Sequence, residues 1–561
     1  MTDEQKSLIA QYWDDIKAAY RQGRKVLRQK GPSQLQFWFI ALIIGILAGF
    51  AALGFRKAVT GLQTLLYGTD DVRHLHTFAQ DLPWFWILML PAVGGLVVGI
   101  ILNYFTPDGR VRAVADVIEG AALHKGRVEK RAGLASALAS LITLSSGGSS
   151  GREGPVVHLA AVISSWVSNR IHADGVTGRD LLGCAVAAAV SASFNAPIAG
   201  ALFALEVVLR HFAVHAFAPI AIASVAGTVI SRLEFGDVTE FTLPAEGALA
   251  FYVELPAFVI LGLLCGLVAV GLMRAIFVAD DVGNWMQRGM GLPAILRPAL
   301  AGLLLGAIAI FFPHIIGVGY ETTSAALTGS LLLHEVIVFT LIKIAAVAIT
   351  MGGRMGGGVF SPALMVGAMT GLAFGLIATG IFPDVSGTVA LYALAGMGAV
   401  AAAVLGAPIS TTLIVFELTG DWQTGLAVMV AVSISTALAS KLVDRSFFLT
   451  QLERAGIHVA AGPQAYLLAM CRAQQCMRQM DDPRAASQEA CEDLIGQGVS
   501  VFEDTSLETI LPRFETEGWS FIPVVRRQKE GAPQLIGALF QVDALRFYNN
   551  ALSAAAAEEH G

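Results

Sequence analysis

The chain has 561 residues, of which 55% are hydrophobic and only 14% are charged, and its mean hydropathy is +0.65. This composition excludes a soluble globular protein, because such a fold cannot hide so much apolar surface, and it predicts an all-α polytopic membrane protein. The formal net charge of −6 says little about partners, because charges far apart in a bilayer-embedded protein do not act as one. We expect no nucleic-acid partner.

Residues 1–34 are charged and amphipathic and contain no signal peptide, so they predict a surface helix on the cytosolic side. By the positive-inside rule, a basic cluster just before the first apolar run places the N-terminus in the cytoplasm. Its members are Lys17, Arg21, Arg24, Lys25, Arg28 and Lys30.

Residues 35–456 form the predicted membrane domain, in two halves of about 35–235 and 250–456. Five runs are long enough to span a bilayer: 36–65, 84–105, 251–275, 291–312 and 331–350. Glycine and proline interrupt shorter apolar pieces, which predict re-entrant or half-spanning helices. These pieces are 132–147, 155–169, 178–194, 196–209, 361–379, 388–404 and 407–419.

The two halves repeat each other at an offset of roughly 210 residues. The stretch from Ala196 to Glu206 recurs from Ala407 to Glu417, and the glycine-rich run that ends in Gly151–Pro155 recurs at Gly358–Pro362. The matching positions of the two glutamates favour a structural role at helix ends. Repeated halves with broken helices are typical of transporters that bind their substrate near the membrane midplane.

Glu153 is the most informative residue, because an ionisable group at membrane depth is costly and usually functional. It directly precedes Gly154-Pro155, and proline fits the first turn of a helix. The unpaired N–H groups and the positive dipole end of that helix favour an anion, with which the carboxylate would compete. A second helix start at 358–362 would face the same point if the halves are inverted.

These motifs resemble those of the CLC family of chloride channels and transporters, most closely its bacterial ClcB branch. Gly151–Pro155 matches the GREGP signature, Gly358–Pro362 matches GxFxP, and Phe194–Gly200 resembles a third family segment. The resemblance covers about residues 35–456. It implies an inverted repeat of tilted and half-spanning helices, a homodimer in the lipid bilayer, and chloride or a similar anion as the transported ligand.

Carried over, the resemblance makes Glu153 the gating residue and adds Gly154, Val359 and Phe360 to the anion site. This sequence departs from the family at three positions. Arg112 is in the place of an anion-coordinating serine, although a register shift of one would put Ala113 there. Phe448 replaces a pore tyrosine and lacks its hydroxyl donor. Val207 replaces the second glutamate of proton-coupled members.

Val207 favours channel-like passive chloride conduction, with an H⁺/Cl⁻ antiporter of the same family as the alternative and a Na⁺-coupled solute symporter as a distant one. We expect no enzymatic activity, no metal and no cofactor, since no convergent catalytic or metal-binding set is present in the spans. The implied location is the bacterial inner membrane, with both termini cytoplasmic.

Residues 457–561 form a predicted cytosolic α/β domain. Strand-like runs at 498–502, 521–525 and 535–540 alternate with helical patterns from Leu507 and from Asp543. This order resembles a degenerate CBS module. We expect such a tail to brace a dimer or to regulate transport, and we do not expect nucleotide binding.

Overall fold

The computed structural model describes residues 34–69, 71, 74–212, 214–236, 241, 251–459, 467–468, 471–526 and 533–560. The predicted surface helix over residues 1–34 therefore lies almost entirely outside the described residues. Within the described part, seven helices are long and apolar enough to cross a membrane, and shorter apolar helices lie between them. This is the mixture of full and partial spans that the interrupted hydropathy pattern predicts.

Helices α1 to α9 make up the first half of the membrane domain. A short π-helical segment, Ala204–Leu209, continues α8. The helices are α1 Gln34–Tyr67, α2 Leu75–Gln80, α3 Trp84–Phe105, α4 Val114–Leu123, α5 Lys130–Ser146, α6 Glu153–Ile171, α7 Gly175–Phe194, α8 Pro197–Phe203 and α9 Val214–Phe235.

Helices α10 to α18 make up the second half and repeat the same alternation of long and short elements. A 3₁₀ turn, Pro313–Ile315, lies between α11 and α12. The helices are α10 Phe251–Gly289, α11 Leu296–Phe311, α12 Tyr320–Leu327, α13 Leu333–Gly352, α14 Phe360–Ile381, α15 Val389–Leu405, α16 Pro408–Thr419, α17 Trp422–Leu442 and α18 Phe447–Arg454.

All five predicted spanning runs and all seven predicted short pieces correspond to helices. Two differ in length from the prediction: the run 291–312 contains only the 16-residue helix α11, and the short piece 361–379 belongs to the 22-residue helix α14, which is long enough to span. Two membrane-length helices were missed, α9 and α17, and both qualify as candidate spans in the structure. Each contains many alanine, serine and threonine residues, and α9 also contains Pro219, so both are less apolar than α1, α3 and α10 although they are apolar enough to span. Their small side chains suit helix–helix contact, which the sequence pattern does not display.

Small residues let the central helices approach one another closely. The alanine-rich runs Ala185–Val190 on α7 and Ala399–Val404 on α15 are fully buried. Between α14 and α15, a Cβ on Gly367 would lie only 2.4 Å from the carbonyl oxygen of Gly396. Helices in lipid associate through such close packing, so these alanines and glycines hold the centre of the domain together.

The tail forms a small α/β unit with a four-stranded sheet in the order β1-β4-β3-β2. Strands β2 and β3 are parallel, whereas β4 is antiparallel to both β3 and β1. The predicted strand–helix–strand–strand–helix order is observed; α19, β1 and α20 were not predicted. The elements are α19 Ala473–Cys476, β1 Arg478–Gln479, α20 Gln488–Gly496, β2 Val501–Phe502, α21 Leu507–Glu517, β3 Phe521–Arg526, β4 Gln534–Phe540 and α22 Gln541–His560.

Candidate anion site between two helix starts

The two glycine-rich loops, one from each half of the membrane domain, are joined backbone to backbone. The amide of Gly151 donates to the carbonyl oxygen of Gly358 at 2.7 Å, and the amide of Gly358 donates back to Gly151 at 2.7 Å. A Cβ on Gly358 would lie 2.9 Å from the amide nitrogen of Gly154, which is closer than real Cβ contacts. Glycine is therefore required for this approach.

Each loop leads directly into a helix, so the bridge brings two helix N-termini together. Helix α6 begins at Glu153 and α14 begins at Phe360, with Pro155 and Pro362 in their first turns. Backbone N–H groups in a first helical turn have no partner within the helix. Two such positive ends at one place create a region that favours an anion.

Glu153 lies between the two helix starts and is only 2% exposed. Its Oε1 accepts a hydrogen bond from Ser361 Oγ at 2.5 Å. Ser361, the second residue of α14, thus helps to hold the Glu153 side chain, which belongs to the first half of the domain. Its Oε2 is buried and has no hydrogen-bond partner among the described residues. One oxygen is thus fixed by the protein and the other is unsatisfied.

A small cavity of about 20 Å³ lies against this carboxylate. That volume admits about one water molecule or one small ion. Of the lining residues, only Glu153 and Gln451 have a nitrogen or oxygen atom in the side chain. The lining consists of Ala113, Val114, Glu153, Gly154, Val157, Val190, Phe203, Met351, Gly357, Gly358, Val359, Phe360, Phe447, Phe448 and Gln451.

Aromatic packing holds the backbone of the second helix start in place. The ring of Phe360 packs between Phe194 and Phe203, with ring centroids 4.6 Å and 5.7 Å away. On the opposite wall, Phe448 contacts Phe447, which stacks on Phe277. Since aromatic pairs of this kind add to the free energy of burial, the walls of the cavity are well fixed.

Five of the predicted site residues therefore line one cavity, namely Glu153, Gly154, Val359, Phe360 and Phe448. They come from three helices that are distant in sequence: α6, α14 and α18. Their contributions to anion binding stay predictions, but the fold brings them together.

Arg112 does not line the central cavity; its neighbour Ala113 does. The guanidinium of Arg112 pairs with Asp108 at 3.0 Å and with Asp116 at 3.4 Å. It lies in a wider cavity of about 970 Å³ that also includes Arg472 of the tail and is therefore called the tail-side cavity. Arg112 thus lies one residue away from the narrow site, and its contribution to anion binding stays a prediction.

Val207 is buried in the π-helical segment and lines none of the cavities described here. The adjacent Glu206 accepts hydrogen bonds from the amides of Ile409 and Ser410 at 2.9 and 2.8 Å. In the other half, Glu417 accepts from the amides of Ile198 and Ala199 at 2.9 and 2.7 Å.

Each of these two glutamates thus caps the helix start of the opposite half. This reciprocal pattern agrees with the structural role that their matching repeat positions predict.

Several lining residues were not identified from the sequence, including Phe203, Met351, Phe447 and Gln451. Gln451 carried a usable signal, because it lies three residues after Phe448 on a short amphipathic helix and so shares its face. Met351 lies near the end of α13, just before the glycine-rich loop, and nothing in its local sequence distinguishes it from a packing residue.

Comparison with known proteins agrees with this architecture. Residues 94–440 match the family described as voltage gated chloride channel. A ClcB-like chloride channel protein of Ralstonia nicotianae is 33% identical over 396 residues, which cover 70% of this chain and 91% of that protein. The voltage-gated ClC-type chloride channel ClcB of Escherichia coli is 31% identical over 431 residues, which cover 73% and 97%.

Solved structures show the same fold. A slow cyanobacterial Cl⁻/H⁺ antiporter aligns with a TM-score of 0.66 at 21% identity, covering 75% of this chain and 97% of that one. A eukaryotic CLC transporter aligns with a TM-score of 0.65 at 18% identity, covering 91% and 98%. Together with the family match, these findings show that the chain belongs to the CLC family of anion-transporting membrane proteins, in its ClcB branch.

Proposed function

We propose that this protein transports chloride across the bacterial inner membrane and that Glu153 gates the pathway. The observation that carries the proposal is the hydrogen bonding of the Glu153 carboxylate at the small cavity. One oxygen accepts from Ser361 at 2.5 Å, and the other is buried without a partner.

The chemistry follows from the two helix starts. Their backbone N–H groups attract an anion without a full positive charge, so the anion binds but is also able to leave, as transport requires. An ionised Glu153 competes for the same positive region. When the carboxylate is protonated, it loses that attraction and yields the place to chloride, so acid conditions favour the open pathway.

Passive conduction is the leading form of this transport. Val207 is apolar, and the only adjacent carboxylate, Glu206, is occupied by two amides and the hydroxyl of Ser410. A proton entering from the tail side therefore finds no free carboxylate on this segment. The alternative is H⁺/Cl⁻ exchange, and it is supported by the antiporters among the proteins of the same fold.

The family resemblance further implies a homodimer with one pathway in each subunit and both termini in the cytoplasm. Exposed Ile198 and Ile409, at the starts of α8 and α16, offer apolar surface for that contact. A CBS-like tail that braces this dimer completes the proposal.

The test is chloride efflux from liposomes that contain the purified protein, measured from pH 4.5 to 7.5. We expect wild-type efflux to rise with acidity, because protonation releases Glu153. In Glu153→Gln and Glu153→Ala we expect flux that is at least as fast as the wild type and independent of pH. Glu489→Gln, an exposed tail position, is the matched control and should keep the wild-type profile.

A pH profile unchanged in both Glu153 variants would remove this residue from the gate. Proton uptake driven against its own gradient by chloride would replace conduction by exchange. Flux that depends on Na⁺ would overturn both forms and indicate a symporter.

A further inference from the structure

We propose that the side-chain amide of Gln451 is the anion ligand at the tail-side end of the narrow cavity, where it takes over from the hydroxyl that Phe448 lacks. The inference rests on the proposed chloride transport and adds to it a specificity-determining residue.

Gln451 lies at the junction of two cavities. It lines the narrow cavity together with Glu153 and Phe360, and it also lines the tail-side cavity together with Arg112. An ion that moves between the wide cavity and the narrow one therefore passes this side chain.

The amide of Gln451 is also uncommitted. Its side chain is half-buried, and it makes no hydrogen bond with the described residues. A glutamine amide carries two N–H donors. Because these donors lie beside an apolar passage and bond to no other described side chain or backbone group, they are available to a ligand.

The other side chains that line the narrow cavity cannot replace the Gln451 amide as a hydrogen-bond donor. Away from the helix starts, its lining side chains are hydrocarbon, aromatic or thioether groups, which cannot donate to an anion. An anion that leaves water must regain hydrogen bonds, because burying an unpaired charge is strongly unfavourable. Phe448 narrows the passage without a donor, so Gln451, three residues on along α18, is the one side chain there that can supply it.

A neutral amide also suits the passage of an ion. Lysine or arginine at this place would hold chloride as a full charge, whereas an amide binds it weakly enough for release. Because an amide does not titrate, its contribution to chloride affinity is independent of pH. This separates Gln451 from Glu153, whose contribution depends on pH.

The experiment measures chloride binding to the purified full-length protein by isothermal titration calorimetry, together with liposome flux. Gln451→Met keeps the length of the side chain and removes both donors, so we expect chloride affinity to fall about tenfold, as for loss of one hydrogen bond to a charged group. The pH profile of flux should keep its shape. Gln451→Leu should act in the same way, and Gln80→Met, at an exposed position outside the cavities, should match the wild type.

The rescue variant is Phe448→Tyr combined with Gln451→Met. The new hydroxyl lies on the same helix face, so we expect most of the lost affinity to return. If Gln451→Met does not fold, Gln451→Glu replaces it: the carboxylate is the same size, and it should abolish chloride binding by repulsion.

Wild-type affinity in Gln451→Met, with wild-type flux intact, would overturn this inference and leave the proposed function untouched. A change in pH profile in place of affinity would also overturn it. Absence of chloride binding and flux in the wild type would instead refute the proposed function itself.

Discussion

Two pairs of helix starts in this protein share one motif and differ in what covers them. Helices α8 and α16 begin at Pro197 and Pro408, and each N-terminus is capped by a glutamate from the opposite half. Helices α6 and α14 begin at Glu153 and Phe360, and they are joined by the Gly151–Gly358 backbone bridge and by the hydrogen bond from Ser361 Oγ to Glu153.

The difference lies in the number of carboxylates. In the capped pair, each of the two positive helix ends has its own carboxylate, which accepts from two backbone amides of the first turn. The bridged pair has two positive ends and one carboxylate, because Phe360 occupies the repeat position of Glu153. We therefore expect a helix start to serve as an anion site only where no fixed carboxylate already accepts from its amides.

Disturbing the bridged pair should have the largest effect. In Gly358→Ala the new Cβ would lie 2.9 Å from the amide nitrogen of Gly154, so the helix starts must separate. We expect chloride flux to fall by an order of magnitude or more, as for loss of preorganised N–H groups around an ion. The measurement is chloride efflux from liposomes.

Gly271→Ala is the matched control, since a Cβ there meets nothing within 4 Å. It should leave flux and folding as in the wild type. Normal flux in Gly358→Ala would show that close approach of the two helix starts is dispensable.

Substitutions in the capped pair should lower the stability of the fold and leave the pH dependence of chloride flux unchanged. Glu206→Gln and Glu417→Gln each replace a charged acceptor of two backbone amides by a neutral one, so we expect each to lower the free energy of unfolding by about 1–3 kcal/mol. Thermal unfolding in detergent measures this change. Glu335→Gln, which caps the exposed start of α13, is the control and should cost less.

The pH profile of chloride flux should be the same in both capped-pair variants as in the wild type. If either substitution removed the pH dependence, the contrast between fixed caps and a mobile gate would be wrong.

A third helix start at the same cavity gives the smallest expected effect. Helix α4 begins after Ala113, whose amide donates to Asp116 at 2.7 Å. Burial raises the pKa of Asp116 to about 6, against the attraction of Arg112. Because the folded protein holds this proton more tightly than the unfolded chain, the contribution of Asp116 to stability is present below about pH 4 and is lost as pH rises through 6.

Asp116→Asn keeps a capping oxygen and removes the titration. We therefore expect the stability of the wild type relative to Asp116→Asn to fall by about 2 kcal/mol between pH 4 and pH 7. Thermal unfolding of both proteins across this range measures the difference. A constant difference would mean that Asp116 does not change its protonation state between pH 4 and pH 7.

Much of the architecture was predictable from local pattern. Interrupted apolar runs predicted the short helices, and the repeat predicted matching roles for Glu206 and Glu417. Helices α9 and α17 were missed because their alanine, serine and threonine residues make them less apolar than the predicted spans α1, α3 and α10.

The sequence by itself determined the membrane class, the repeat and the identity of the buried acid, because composition, spacing and an ionisable residue at membrane depth are visible along the chain. Only the tertiary structure decided that the Gly151 and Gly358 loops pair, that Ala113 replaces Arg112 at the narrow cavity, and that Gln451 joins it. Those outcomes depend on contacts between segments hundreds of residues apart, and local pattern carries no information about which of them meet.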